Sequence, residues 1–160
     1  RWVTPVRRDK TANDFYIPPE EPFKVIGALP YLYESNLRRF CKRHQKAIDA
    51  GLLNVHIWRD GNNTFHLKGL LADDDHALLT GNNLNPRAWR LDLENALLIR
   101  DPQKLLHEMH QQELEKIMTH TTRLERHDQL DPFESYPLPV QRLIKRLARV
   151  RADRLINQVL

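Results

Sequence analysis

His66, Lys68 and Asp73 stand in the order H-x-K-x4-D inside one short apolar run, HLKGLLADDDHALLTGNNLN, that ought to be a buried strand. On a strand, residues two apart face the same way, so His66 and Lys68 share a face and Leu67 takes the other. An imidazole serves as nucleophile or proton carrier near neutral pH, and an ammonium beside it holds a phosphate oxygen as a point charge. That pairing is suited to phosphoryl chemistry. A bare H-x-K also arises by chance on the wet face of a hairpin, so the longer pattern has to decide. It continues with Gly81, Asn82, Asn83 and Asn85 in a polar turn after the next apolar run, and with Glu94 opening the run after that, 28 residues beyond His66.

The elements that must position these groups follow from periodicity and turn signals. RWVTPV suggests a short strand, and RRDKTANDFYIPPEEPF a long irregular loop. From Leu29 the apolar positions Leu32, Phe40, Ala47 and Ile48 predict a basic amphipathic helix of about five turns, stopped by Gly51. LLNVHIW reads as a strand and RDGNN as a turn with the Asp-Gly signal. TFHLKGLLAD would then be the returning strand of a hairpin. HALLT and ENALLI add two strands, residues 103 to 125 have helical composition, and DPFESYPLP reads as a proline-broken linker before a final helix. The mixture predicts an α/β fold, with α+β as the alternative, in which a mixed sheet is flanked by helices. The expected division is a catalytic part over residues 1–135 and a basic amphipathic helix over 136–160.

Composition narrows the class. With 160 residues the chain is long enough for one domain with a sizeable core. Lys and Arg number 25 against 21 Asp and Glu, a formal charge of +4 that is mild overall and concentrated near the C-terminus. One cysteine, Cys41, excludes an internal disulfide framework and a cysteine-rich zinc site, and points to a reducing compartment and an ordinary packed thiol. No run approaches 18 apolar residues, so no membrane-spanning helix is expected. The first residue is Arg1 rather than Met, and the chain reads as a fragment.

The set of His66, Lys68, Asp73, the asparagine turn and Glu94 resembles the signature of the phospholipase D superfamily. One departure is visible: the usual Gly-Ser-x-Asn is replaced by Gly81-Asn82-Asn83-Leu84-Asn85, with one more residue after Asp73 than the common spacing. GALPYLYESNLRRF, the block from HLKG to GNNLNPRAWRLDLENALLIRDP, and the basic tail resemble one branch, the phospholipase-D-like bacterial phosphatidylserine synthases. Those enzymes are about three times as long and carry two such motifs. The chain resembles the C-terminal portion, with the second motif.

The resemblance implies a phospholipase-D-like half-domain and a transfer with no metal and no cofactor. One His attacks the phosphorus of CDP-diacylglycerol, the other protonates departing CMP, and L-serine resolves the phosphatidyl-histidine. His66, Lys68, Asp73 and Glu94 would be its catalytic set, Glu94 orienting an imidazole and Asp73 holding the motif strand. Asn82, Asn83, Asn85, Arg87 and Arg90 would bind substrate phosphates. His107 and His110 lie three apart on a helix but lack H-E-x-x-H spacing and a third ligand, so no metal site is expected. In the tail, Val140, Leu143, Ile144, Leu147, Val150 and Leu155 form an apolar stripe, with Arg142, Lys145, Arg146, Arg149, Arg151 and Arg154 elsewhere. That stripe packs on the core or adsorbs to anionic lipid. The expected setting is cytoplasmic, peripheral at the inner face of the plasma membrane. The partners are the missing half or a second copy, with nucleic acid not expected. Two readings compete: a self-pairing nuclease or phosphodiesterase of the same superfamily, and an inactive remnant or lipid-binding module.

Overall fold

Local sequence punctuates the first half. Val25–Ala28 form one 3-10 turn that runs into helix α1, Leu29–Arg43, with Pro30 at its start where a missing N–H costs nothing. The expected five-turn helix breaks at His44, and a short α2, Gln45–Asp49, completes it. Gly51, at φ 71°, supplies the left-handed residue that closes α2: its own N–H donates to Ile48 O at 3.0 Å and that of Leu52 to Ala47 O at 2.9 Å. The computed structural model describes residues 22–60, 63, 65–83 and 93–149, together with the backbone of 2–4. The expected loop over 7–23 therefore falls almost wholly outside the described residues.

By their internal contacts the residues fall into two units, one of 1–65 and 118–149, the other centred on 66–117. In the first, strands β1 (Trp2–Thr4), β2 (Val55–Trp58) and, late in the chain, Thr121–Leu124 form a sheet with β2 in the centre. β2 runs parallel to β1 and antiparallel to the late strand. All four β2 residues are buried. Leu37, Cys41 and Ile48 from the helices meet Val55, Ile57, Leu124 and Leu130 in one core. Burial pushes the Cys41 thiol up, in keeping with its packing role. Polar ties hold the segment after the late strand to the helices. Gln45 Nε2 donates to Glu125 O at 2.7 Å, Gln45 Oε1 accepts the His127 N–H at 3.1 Å, and Glu34 Oε1 accepts the Asp131 N–H at 3.1 Å.

Two sequence expectations change here. Residues 121–124 are a strand rather than the end of a helix, because their β-branched Thr121-Thr122 pair adds to the exposed edge of β2. DPFESYPLP is no linker: Tyr136 is buried, packs edge-on to Tyr31 at 5.1 Å and to Phe133 at 5.8 Å, and joins Ala28 and Val140 in a second core. Helix Leu138–Arg149 packs Val140, Leu143 and Ile144 on that cluster. Of the two readings of the tail stripe, packing on the core holds for these residues; Val150 to Leu160 lie outside the described ones.

The second unit is a three-stranded antiparallel meander of β3 (Gly69–Ala72), β4 (His76–Thr80) and β5 (Ala96–Arg100), with β4 central. The late strand of the first unit is thus β6. The expected hairpin between LLNVHIW and TFHLKGLLAD is not formed: β2 pairs with β1 and β6, and β3 with β4 through the turn Asp73-Asp74-Asp75. Trp58 Nε1 donates to Asn63 O at 2.9 Å and Asn63 Nδ2 to Asp60 Oδ2 at 2.8 Å, while Gly61 and Asn62 of the Asp-Gly signal lie outside the described residues; such a signal does not name a strand's partner. Helix α3, His107–Thr119, follows β5, and Leu138–Arg149 is α4.

Candidate active site

Three neighbouring strand ends carry four of the predicted residues: His66 and Lys68 come just before β3, Asn82 just after β4 and Glu94 just before β5. Gly69 pairs with Leu79, and Thr80 with Ala96. The Thr80 N–H donates to Lys68 O at 3.3 Å, which carries the β3–β4 pairing one row further. Residues opposite one another on antiparallel strands share a face. Lys68, Thr80 and Ala96 therefore form one row. His66 lies two residues before Lys68, Asn82 two residues after Thr80 and Glu94 two residues before Ala96, all beyond the ends of the paired strands. His66 and Glu94 are exposed, and Lys68 and Asn82 half-buried.

Glycines make this end possible. A Cβ on Gly69 would lie 2.8 Å from the Leu78 carbonyl oxygen, so β3 approaches β4 beside Lys68 only because position 69 has no side chain. A Cβ on Gly81 would lie 2.6 Å from Glu94 Oε2. The Glu94 carboxylate thus lies over Gly81, immediately next to Asn82. The turn itself is held by Thr80, whose Oγ1 accepts the Asn82 N–H at 2.9 Å and donates to Asn95 O at 3.2 Å. Asn82 Oδ1 is buried without a hydrogen-bond partner among the described residues. Such an atom costs about 1–3 kcal/mol until something satisfies it.

Asp73 stands elsewhere. It lies in the β3–β4 turn at φ 49°, seven residues from His66, so about 20 Å away at the strand rise. Around that turn a shallow hollow is lined by Asp73, Asp75, His76, Asp101, His107 and His110. His76 Nδ1 lies 2.6 Å from Asp75 Oδ1, Lys104 Nζ donates to Asp74 Oδ2 at 3.2 Å, and Asp101 accepts the Leu106 N–H at 2.7 Å. No three His, Cys, Asp or Glu among the described residues are grouped as metal ligands. Asn83 is exposed in the turn, while Asn85, Arg87 and Arg90 lie outside the described residues. Sequence reasoning passed over Thr80, Gly69 and Gly81 as positioning elements. A hydroxyl residue at a strand end, directly before Gly-Asn, was the available signal.

What this arrangement can do is hold a phosphate at the end of β4. At that end of the sheet the chain brings an imidazole, an ammonium, a carboxylate and an amide whose buried oxygen has no partner among the described residues. No protein-family model matches the chain. It is 58% identical over 152 residues, 95% of its length, to the CDP-diacylglycerol--serine O-phosphatidyltransferase of Haemophilus influenzae, of which it covers 33%. It is equally similar to the Escherichia coli enzyme of that name, PssA, covering 34%. The crystal structure of the Haemophilus influenzae phosphatidylserine synthase superposes with a TM-score of 0.91 at 56% identity, over 99% of this chain and 35% of that one. The chain spans about a third of the length of the curated relatives it matches. These matches bear out the resemblance to the phosphatidylserine synthases and the mixed fold of sheets with helices.

Proposed function

We propose that the chain supplies one of two His-Lys motifs to a phosphatidyltransferase that makes phosphatidylserine from CDP-diacylglycerol and L-serine. The observation that carries this is the 58% identity to enzymes of that name, in a chain that brings His66 and Lys68 just before β3, Asn82 just after β4 and Glu94 just before β5 to one end of that sheet. An imidazole nitrogen attacks phosphorus as the bond from phosphorus to the CMP oxygen breaks, and the opposite motif's imidazolium gives that oxygen its proton. The serine hydroxyl then attacks the phosphatidyl-histidine, its proton passing to the opposite imidazole as the P–N bond breaks. His66 takes one of those two places.

The remaining groups handle charge and orientation. Lys68 neutralises a phosphate oxygen. Glu94 accepts from one imidazole nitrogen and leaves the other facing phosphorus. Asn82 offers a buried amide whose NH2, after a half-turn, replaces the unsatisfied carbonyl as a donor to phosphate. Asn83, Asn85, Arg87 and Arg90 complete the diphosphate grip, and Asp73 serves the fold of the strand turn. The second motif comes from the length of the relatives that these residues do not cover, or from a second copy.

A lipid substrate requires contact with a membrane surface. Among the described residues no helix is long and apolar enough to cross a membrane. On α4 the cations Arg142, Lys145, Arg146 and Arg149 are exposed, opposite the buried stripe, with no acid within the helix. Since the stripe is occupied by the core, this face meets anionic lipid by charge rather than insertion, at about 1 kcal/mol per basic residue. The proposed place is the cytoplasmic face of the plasma membrane.

The test is CMP release from CDP-diacylglycerol with added serine, measured across protein concentration alongside sedimentation. A monomer of these 160 residues is expected to release little or none, since in-line displacement needs a group on each side of phosphorus. Full activity in a strictly monomeric sample would overturn the two-motif reading.

A further inference from the structure

We propose that Thr80 is the positioning residue that holds the phosphate-handling end of the β3-β4-β5 sheet in register; the inference rests on the reading of His66, Lys68, Asn82 and Glu94 as the reacting and binding groups. Thr80 ends the central strand, and three hydrogen bonds leave it for the three places where those groups are attached. Its N–H reaches Lys68 O at 3.3 Å. Its hydroxyl oxygen accepts the Asn82 N–H at 2.9 Å, and the hydroxyl proton goes to Asn95 O at 3.2 Å. One hydroxyl thereby uses its donor and an acceptor position at once.

Each bond has a consequence for a side chain of the site. The bond from Asn82 closes a turn of the kind Ser and Thr form with the N–H two residues on. It bends the chain after Gly81 and leaves the Asn82 amide with its oxygen buried and unsatisfied. The bond to Asn95 fixes the backbone next to Glu94, whose carboxylate lies where a Gly81 Cβ would be. Without the hydroxyl, the Asn82 N–H and the Asn95 carbonyl lose their partner, and nothing else described ties the asparagine turn to the start of β5. The β-branched carbon skeleton still suits the strand. Thr80→Val therefore removes the ties while keeping shape, and Thr80→Ser keeps the ties while losing a methyl group.

Two measurements test this. In the 160-residue chain, amide exchange at Asn82 is expected to quicken about tenfold in Thr80→Val and to recover in Thr80→Ser, with Leu78 and Leu98 amides unchanged. In the longer enzyme proposed above, Thr80→Val is expected to lower kcat by about ten- to a hundredfold with KM for CDP-diacylglycerol within threefold, and to move the pH–rate profile. Thr80→Ser should stay within about threefold of the parent kcat. Unchanged Asn82 exchange in Thr80→Val overturns the tie, and an equal kcat loss in Ser and Val with faster exchange at Leu78 and Leu98 reduces Thr80 to a structural part of the sheet. Failure of the phosphatidyltransferase reading shows differently: His66→Ala would keep activity while Asn82 exchange still responds to Thr80.

Discussion

The two three-stranded sheets of this chain differ in where their apolar side chains go. In the β1-β2-β6 sheet, Val55, His56, Ile57 and Trp58 of the central strand are all buried, and Leu37, Cys41, Ile48 and Leu130 from flanking segments complete their surroundings. In the β3-β4-β5 sheet only Ala77 is buried, while Leu70 and Leu98 on one face and Leu71, Leu79 and Leu97 on the other are half-exposed or more. Strands apolar on both faces are the kind that larger folds cover on both sides. The unit with its own core thus carries none of the motif, and the unit with the motif has almost no core. The end of that sheet proposed to handle phosphate is held by main-chain pairing, glycines and a hydroxyl, with little packing to assist them.

That contrast can be broken at its reactive end with the largest effect. His66→Ala in the longer enzyme is expected to lower serine transfer on the order of 10²–10⁴-fold or more without unfolding it, since His66 is exposed and belongs to neither buried core cluster. Activity within tenfold of the parent sinks the assignment. At the packed end, Ile48→Ala should cost about 2–5 kcal/mol in urea unfolding, because Ile48 is 2% exposed. Amide exchange should rise along β2 and β6 far more than along β3 to β5, and a uniform rise would show that the two units unfold together.

Smaller effects sharpen the picture. Glu94→Gln removes the charge while keeping the size, and is expected to lower kcat about tenfold with KM little changed; a change confined to KM would place Glu94 in substrate binding instead. The smallest effect is a pH dependence at the turn end. The Leu106 N–H bound to Asp101 holds its carboxyl below the ordinary carboxylate value, against an opposing desolvation, with the Leu105 N–H and His110 adding lesser contributions in the same direction. A depressed folded value means stability that is present above the ordinary value of about 3.9 and lost as pH falls through the folded one. The Leu106 amide resonance should therefore move, and the first turn of α3 fray, only below about pH 4. Asp101→Ala should show that frayed turn at neutral pH, and an unaltered Leu106 signal would remove the cap from the account.

The resemblance to the phosphatidylserine synthases was legible in the chain because it depends on short spacings: two residues from His66 to Lys68, and a Gly-Asn-Asn turn after the next strand. Alternation along a strand is fixed by covalent geometry, which is why spacing alone predicts one face for His66 and Lys68, although β3 itself begins only at Gly69. Helix α1–α2 with its Gly51 stop, and strands β2, β4 and β5, were likewise readable from periodicity and turn residues. Strand pairing was not. The Asp-Gly turn after Trp58 suggested a hairpin with β3, yet β2 takes its partners from residues 2–4 and 121–124, and local propensity carries no information about partners so distant in sequence. Nor could spacing show that DPFESYPLP folds into a core around Tyr136. Thr80 marks the boundary most clearly. Its identity and its local bond from Asn82 two residues on are within reach of the sequence, but its distant partners, Lys68 and Asn95, meet it only when β3, β4 and β5 pair, because register is set by burial and hydrogen bonding over the whole sheet.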